Sequence, residues 1–254
     1  MQVVILAGGL GTRLSEETEK IPKPMVAIGD IPILLHIMRY YASFGHKNFL
    51  IALGYKGYVI KDYFSNFRSH NSNLKIDLNS GTISFFDEAF SDWKVTLVET
   101  GLETMTGGRL LKLQSHLDDE FMLTYGDGLS DIDLYVIEKQ FKESNKIGLV
   151  SAVRPPARFG SLQIKENLVT KFSEKVPQDS GWINGGYFCF RKEICSYISD
   201  FSTTLESSPM EKLVDDKQLV AYQHSGFWYG MDTLRDRDTL ESLWSLGNAP
   251  WRKN

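Results

Sequence analysis

Val3-Val4-Ile5-Leu6 leads directly into the glycine-rich stretch Ala7-Gly8-Gly9-Leu10-Gly11-Thr12-Arg13, and Pro22-Lys23-Pro24 follows shortly afterwards. The apolar, β-branched run predicts a buried strand, and the glycines predict a loop that exposes backbone N–H groups ahead of a helix. Arg13 and Lys23 add two cations beside this loop. We therefore expect it to hold a large, multiply charged anion such as a nucleoside triphosphate.

Two better-known glycine loops also follow a first strand, and neither matches this one. Residues 9–14 supply two of the three glycines of the dinucleotide fingerprint, and the predicted strand at 49–53 ends without a ribose-binding acid. A Gly-Lys-Ser/Thr sequence does not close the loop either, which argues against a P-loop. A nicotinamide dehydrogenase is therefore disfavoured, and an ordinary glycine turn remains an alternative for the loop taken alone.

The composition is that of a globular protein with one sizeable core. The chain has 254 residues, 42% hydrophobic content and no internal linker, which predicts a single domain. A formal net charge of −4 without a dense basic run argues against nucleic acid and membrane surfaces as partners. No signal segment or membrane-spanning run is present in the sequence, so we expect a cytoplasmic protein. Cys189 and Cys195 are expected to be reduced and inert.

Apolar runs alternate with helical periodicities, which predicts an α/β fold with a mixed, mostly parallel central sheet flanked by helices. A short hairpin is expected at the edge, because apolar runs at 74–78 and 82–86 flank Asn79-Ser80-Gly81. The segment 159–191 is predicted to be a more irregular, strand-rich region. Core strands are expected at 48–53, 95–98, 120–125 and 147–153, and helices at 34–41 and 60–67.

Asp127 is the strongest candidate for chemistry outside the loop. It follows the apolar run 121–125, so it is expected at the carboxyl end of a central strand, where open α/β sheets place their ligands. Gly126 and Gly128 leave space beside it. Because Mg²⁺ prefers carboxylate and phosphate oxygens, Asp127 is a candidate metal ligand, with a turn aspartate as the alternative.

Five blocks in one order resemble the sugar-1-phosphate nucleotidyltransferases. Residues 6–14 and 23–25 are similar to the superfamily signature, and Met105-Thr106-Gly107-Gly108-Arg109 and Thr124-Tyr125-Gly126-Asp127-Gly128 resemble its glucose-1-phosphate cytidylyltransferase branch. Ile183-Asn184-Gly185-Gly186 and the stretch 226–236 continue the resemblance to the end of the chain. This resemblance implies a Rossmann-like nucleotide-diphospho-sugar transferase fold, with a nucleotide-binding half at about 1–153 and a sugar-binding and C-terminal part at about 154–254.

The resemblance implies transfer of a cytidylyl group from CTP to glucose 1-phosphate with Mg²⁺, giving CDP-glucose for dideoxysugar or surface-polysaccharide synthesis. It also implies a homo-oligomer, a hexamer, and we expect the aromatic-rich tail 244–251 to help bury an interface. Asp232 is implied as the second metal ligand, with a helix N-cap as the alternative. A sugar phosphate oxygen needs no deprotonation, so catalysis is expected to rest on alignment and charge neutralisation by Arg13, Lys23 and Asp127.

Three groups of binding residues complete the expectation. Thr106, Gly107 and Arg109 are candidates for reading cytosine, with Arg109 donating to O2 or N3. In the alternative interpretation, Gly107 and Gly108 only begin a helix. The resemblance places the sugar phosphate on Glu174, Lys175, Asn184, Gly185 and Gly186, although Val176 stands where relatives often have proline. The nucleotide is expected on Leu6, Ala7, Gly8, Gly9, Leu10, Gly11, Thr12, Arg13, Lys23, Gly126 and Asp127.

Rival functions remain at this point. A sister nucleotidyltransferase that uses dTTP, UTP or another sugar is the nearest, because the loop cannot choose the base. A dehydrogenase and a non-catalytic paralogue are more distant. The paralogue is disfavoured because Arg13, Lys23, Asp127 and Asp232 are all retained.

Overall fold

A computed structural model describes residues 1–11, 14, 18–19, 21–86, 92–155, 161–165, 168–173 and 181–253, with the side chains of 161–164 and 171–173 left aside. In chain order, the elements of these residues are β1 (Gln2–Leu6), β2 (Ala27–Ile28), β3 (Ile31–Pro32), α1 (Ile33–Ser43), β4 (Asn48–Leu53), α2 (Gly57–Ser65), α3 (Phe67–Asn71), β5 (Leu74–Asp77), β6 (Thr82–Phe85), β7 (Lys94–Glu99), α4 (Thr106–Lys112), β8 (Glu120–Tyr125), β9 (Gly128–Ser130), α5 (Leu134–Ser144), β10 (Gly148–Val153), β11 (Ser161–Lys165), β12 (Leu168–Ser173), β13 (Ile183–Arg191), α6 (Ser208–Asp215), β14 (Leu219–His224), β15 (Trp228–Gly230) and α7 (Leu234–Ser245). Short 3₁₀ turns lie at Lys23–Met25, Gln114–His116 and Lys192–Tyr197.

A seven-stranded sheet with the order β14-β10-β13-β8-β1-β4-β7 forms the centre of the molecule. All neighbouring strands pair in parallel except around β13, which is antiparallel to both β10 and β8. The predicted mixed, mostly parallel sheet is confirmed. Because β1 lies between β4 and β8, the loop after β1 meets the ends of both neighbours at the carboxyl edge of the sheet.

Strand β1 shows why the core has two layers. Its side chains alternate in direction, so Val3 and Ile5 join the apolar cluster under α1, whereas Val4 and Leu6 join the cluster that contains Leu110 of α4. Both faces of the sheet are therefore covered by helices, which explains the unbroken apolar run of β1.

The strands at Asn48–Leu53 and Glu120–Tyr125 and the hairpin β5–β6 agree with the sequence-based prediction. The strand-rich character predicted for 159–191 is confirmed by β11, β12 and β13. The predicted core strands did not include β13, which lies in the central sheet between β8 and β10. Strand β14 at the sheet edge was also not predicted. Its buried pattern is interrupted by exposed residues, so it carries little of the apolar signal of a core strand.

The C-terminal aromatic tail packs on its own chain. Trp251 is 2% exposed, stacks on Phe227 with ring centroids 5.5 Å apart, and donates from Nε1 to Nδ1 of His36 over 3.3 Å. Trp251 therefore belongs to the core of its own chain, and the expectation that the tail 244–251 helps to bury an interface stays a prediction. Within the described part of the chain, no helix has the length and apolar character needed to cross a membrane.

Candidate active site

An open cavity of about 550 Å³ lies at the carboxyl edge of the sheet, beneath the glycine-rich loop. Gly11 has φ +64°, a conformation that favours glycine, and a Cβ on Gly9 would meet no atom within 4 Å. The loop therefore presents bare backbone to the cavity. The lining comes from the loop, from the segment that leads into α4, from the end of β8 and from four further residues: Leu6–Gly11, Leu102–Thr106, Tyr125–Asp127, Arg109, Lys23, Pro24 and Asp232.

The buried side chain of Arg109 supports the glycine-rich loop through hydrogen bonds. It is 4% exposed, and its Nη2 donates to the carbonyl oxygen of Gly8 over 2.9 Å. Its Nη1 donates to the carbonyl oxygens of Leu53 and Gly101 and to Oγ1 of Thr100. A Cβ on Gly8 would stand 2.1 Å from Nη1, so the glycine makes room for the guanidinium. The observed contacts are those of a brace between loops, and the predicted donation to cytosine stays a prediction.

Lys23, Asp127 and Asp232 meet at one end of the cavity and form the lysine–carboxylate cluster. The Lys23 ammonium lies 2.5 Å from Oδ2 of Asp127 and 2.8 Å from Oδ1 of Asp232. The lysine side chain is 12% exposed, whereas the two carboxylates are 32% and 37% exposed. The cation is thus mostly buried and held by two ion pairs, while both anions retain access to the cavity.

A two-stranded ribbon sets the distance between the two aspartates. Strand β9 begins directly after Asp127, β15 ends shortly before Asp232, and Gly128 is paired with Gly230. The N–H of Met231 donates to the carbonyl oxygen of Asp127 over 2.9 Å. Two residues that are far apart in the chain are therefore brought together by backbone pairing.

The N-cap alternative for Asp232 is wrong. Helix α7 is capped by the next residue, Thr233, whose Oγ1 accepts from the N–H of Asp236 while the Asp236 carboxylate accepts from the N–H of Thr233. This reciprocal capping box satisfies the helix start. The side chain of Asp232 consequently remains in the lysine–carboxylate cluster.

Gly126 explains how Lys23 reaches that cluster. The Pro22-Lys23-Pro24 stretch forms a tight 3₁₀ turn at Lys23–Met25. A Cβ on Gly126 would lie 2.9 Å from Cγ of Pro24 and 3.2 Å from the carbonyl oxygen of Leu6. The absence of a side chain at Gly126 lets the turn pack against the end of β8, beside Asp127.

The charges of the cluster suit a metal bound together with phosphates. Burial acts to lower the pKa of Lys23, but the adjacent carboxylates outweigh it and raise the pKa above its ordinary value. Lys23 is therefore an ammonium at neutral pH. Within the described residues no group of three or more acidic, histidine or cysteine side chains offers a complete metal cage. Two half-exposed carboxylates match the sites of Mg²⁺, which commonly takes one or two protein carboxylates and substrate phosphates.

The glycines at the start of α4 serve close packing. A Cβ on Gly108 would lie 2.0 Å from the carbonyl oxygen of Phe201, and one on Gly107 would lie 2.8 Å from that of Thr203. Segment 201–205 therefore lies against the start of α4. Gly107 and Gly108 lie in the first turn of this helix, so the prediction that they begin a helix is confirmed. Oγ1 of Thr106 donates to Oε2 of Glu206 over 2.6 Å and accepts from the N–H of Leu205 over 2.9 Å.

The predicted sugar side is partly described. Nδ2 of Asn184 donates to the hydroxyl oxygen of Tyr125 over 3.3 Å, and Oδ1 accepts from the N–H of Gly186 over 2.8 Å. Gly186 has φ +75° and lies over the Tyr125 ring, whereas Gly185 packs against Val153. Thr12, Arg13, Glu174 and Lys175 lie outside the described residues.

Sequence reasoning missed three side chains at this site, those of Tyr125, Glu206 and Trp228. The hydroxyl of Tyr125 donates to Oε1 of Glu206, and Nε1 of Trp228 donates to the carbonyl oxygen of Gly185 over 2.6 Å. Tyr125 stands beside Asp127 in the sequence and was quoted only as part of a motif. Glu206 has no local signal, because its place depends on packing between segments about a hundred residues apart. We call Thr106, Tyr125, Asn184 and Glu206 the Glu206 network.

The chain is similar to known nucleotidyltransferases over almost its whole length. The glucose-1-phosphate cytidylyltransferase of Salmonella typhimurium is 45% identical over 254 residues, 99% of each chain. The D-glycero-alpha-D-manno-heptose 1-phosphate guanylyltransferase of Campylobacter jejuni is 33% identical over 203 residues, 80% of each chain. In fold, the chain is similar to a UDP-glucose pyrophosphorylase solved with UDP-glucose, with a TM-score of 0.69 at 16% identity over 97% of this chain and 98% of that one.

A family model also matches almost the whole chain. Residues 2–246 match the model of the nucleotidyl transferase family, whose members generally use a divalent metal ion. The match includes β1, its glycine-rich loop and all three residues of the lysine–carboxylate cluster. Together with the relatives above, it shows that this chain belongs to the nucleotidyl transferase family.

Proposed function

We propose that this chain transfers a cytidylyl group from CTP to glucose 1-phosphate, forming CDP-glucose and releasing pyrophosphate. The lysine–carboxylate cluster at the mouth of the glycine-rich loop is the observation that carries the proposal. It combines a buried cation, two accessible anions and bare backbone in one cavity, as transfer between two phosphate-bearing substrates requires. The 45% identity to the Salmonella enzyme supports cytosine and glucose as the choices of base and sugar.

In this reaction an oxygen of the sugar phosphate attacks the α-phosphorus of CTP, and the bond to the β-phosphate breaks. The attacking oxygen is already ionised at neutral pH, so the protein supplies alignment and charge rather than a general base. The Lys23 ammonium neutralises phosphate charge from a position fixed by Asp127 and Asp232. The backbone of 8–11 receives the triphosphate, and Arg13 is assigned to the departing pyrophosphate.

Magnesium is the metal that we propose, and Asp127 and Asp232 would hold it. When bound, it would neutralise the charge that develops on the phosphate oxygens as the α–β bond breaks. Glu174, Lys175 and Asn184 are proposed for the sugar phosphate and Thr106 to Arg109 for the base. We also propose a homo-oligomer, which light scattering of the purified protein tests directly.

A substrate panel tests the reaction. The protein is incubated with Mg²⁺, glucose 1-phosphate and each of CTP, dTTP, UTP, GTP and ATP, and pyrophosphate release is measured, with Asp127→Asn as the inactive control. We expect the highest turnover with CTP. Higher turnover with dTTP or UTP would reject cytosine, and NADH binding without pyrophosphate release in any mixture would reject the whole proposal.

A further inference from the structure

Glu206 joins two sides of the cavity through its carboxylate. Oε2 accepts from Thr106 at the start of α4, and Oε1 accepts from the Tyr125 hydroxyl at the end of β8. Among the described residues, no lysine, arginine or histidine forms an ion pair with it. This exposed carboxylate is therefore held by hydroxyl groups and not by a counter-charge.

The carboxylate fixes the direction of a chain of hydrogen bonds. An ionised carboxylate only accepts, so the Tyr125 proton points to Glu206 and the Tyr125 oxygen is left to accept. That oxygen accepts from Nδ2 of Asn184, which turns Oδ1 of Asn184 towards the N–H of Gly186. Burial and Glu206 both raise the pKa of Tyr125, so this hydroxyl keeps its proton. The orientation of the Asn184 amide thus follows from the charge on Glu206.

Close backbone packing carries Glu206 to this place. Gly107 and Gly108 allow segment 201–205 to lie against the start of α4, and Leu205 is fully buried. Opposite, Gly186 has no side chain to displace the Tyr125 ring, which a Cβ would approach to 2.5 Å. Gly107 and Gly108 thus make room for the segment that carries Glu206, and Gly186 makes room for the Tyr125 ring.

We propose that Glu206 is a positioning residue for the sugar phosphate: through Tyr125 it orients Asn184, whose second amide N–H is left to bind an oxygen of the hexose. The inference rests on the proposed function, since it assigns a partner to the sugar side of that site. It predicts that loss of the Glu206 charge weakens sugar phosphate binding more than it slows the chemical step.

Steady-state kinetics of Glu206→Gln, Tyr125→Phe and the double variant test this role. Each substrate is varied at saturating concentrations of the other, and thermal unfolding of each variant is followed in parallel. We expect either single substitution to raise KM for glucose 1-phosphate by about tenfold, the effect of one hydrogen bond, with kcat changed less than about twofold. The double variant should be no worse than the more affected single variant, because both act through one chain of bonds. Glu211→Gln, an exposed carboxylate on the first turn of α6, is the matched control and should behave as the unaltered protein.

Three results would overturn the role of Glu206. The first is an unchanged KM for glucose 1-phosphate in both single variants, and the second is additive effects in the double variant. The third is a rise of both KM values and a fall of kcat by equal factors together with a lower Tm, because this result indicates a merely structural contact. If the unaltered protein shows no turnover with any nucleotide, the proposed function itself fails, and the inference falls with it.

Discussion

The lysine–carboxylate cluster and the Glu206 network lie at the same cavity, yet they are held in place in different ways. The cluster pairs one cation with two anions, and backbone pairing between β9 and β15 sets its spacing. The network contains one carboxylate, two hydroxyls and an amide, and only side-chain bonds connect its members. The cluster proposed for phosphate binding is therefore spaced by backbone pairing, while the part proposed for the sugar depends on bonds between side chains.

Removing the cation of the cluster should have the largest effect. Lys23→Ala deletes the only ammonium seen between Asp127 and Asp232 in the described part of the chain, and we expect kcat to fall by about 10²- to 10³-fold, as for loss of one preorganised electrostatic group. Pyrophosphate release with CTP and glucose 1-phosphate measures this. Lys47→Ala, which removes an exposed lysine paired with Asp92, is the control. A loss below tenfold in Lys23→Ala would remove charge neutralisation by the cluster from the mechanism.

A methyl group at Gly126 should disturb the cluster through its backbone support. In Gly126→Ala the new Cβ meets Pro24, so the turn that carries Lys23 must move. We expect the free energy of unfolding to fall by about 1–3 kcal/mol, the usual cost of overpacking, and kcat to fall with it. Urea unfolding and turnover are measured on the same samples. Gly181→Ala, where a Cβ meets no atom within 4 Å, should leave both quantities unchanged. Normal kcat in a destabilised Gly126→Ala protein would show that the turn does not position Lys23.

The matching change in the Glu206 network is Gly186→Ala. Its Cβ would press on the Tyr125 ring, and the positive φ adds strain of about 1–2 kcal/mol for a residue with a side chain. We expect KM for glucose 1-phosphate to rise while KM for CTP stays within about twofold, since the change acts on the sugar side. Steady-state kinetics with each substrate varied separately provide the measurement. Equal rises in both KM values would mean that the two halves of the site are not separable in this way.

The smallest expected effect is a pH dependence of the free energy of unfolding that comes from His36 in the core. Nε2 of His36 donates to the carbonyl oxygen of Ile28 and Nδ1 accepts from Trp251, which fixes a neutral ring. Burial lowers the pKa of His36 from its ordinary 6.5. The unfolded chain then takes up a proton first as the pH falls, so stability is full above pH 6.5 and declines below it, by at most about 1.4 kcal/mol per pH unit from this residue. Urea unfolding between pH 7.5 and 5.5 measures the slope. His36→Phe should reduce it, and an unchanged slope would assign the pH dependence to other groups.

The contrast between the lysine–carboxylate cluster and the Glu206 network also explains which parts of the site the sequence could predict. Asp127 directly follows a core strand, so its place at the carboxyl end of the sheet could be worked out from neighbouring residues alone. Glu206 has no such local context, because it meets Tyr125 only after segment 201–205 packs on Gly107 and Gly108. Strand β13 was not among the predicted core strands for a related reason. A chain of alternating strands and helices predicts parallel neighbours, and an antiparallel strand in the middle of the sheet is decided by long-range pairing that periodicity does not report.

The contact between Arg109 and the glycine-rich loop has a consequence for the order in which the site forms during synthesis. The Gly8 carbonyl of the loop is held by a side chain that lies 101 residues later in the chain, so the ribosome makes the loop well before the residue that supports it. The same guanidinium also binds the ends of β4 and the segment after β7, so all of these must be synthesised before the brace can close. The glycine-rich loop thus precedes its support during synthesis, and we expect a nascent chain to bind nucleotide in the mature way only after Arg109 has emerged. Capture of CTP by stalled chains of increasing length would rise only beyond that point.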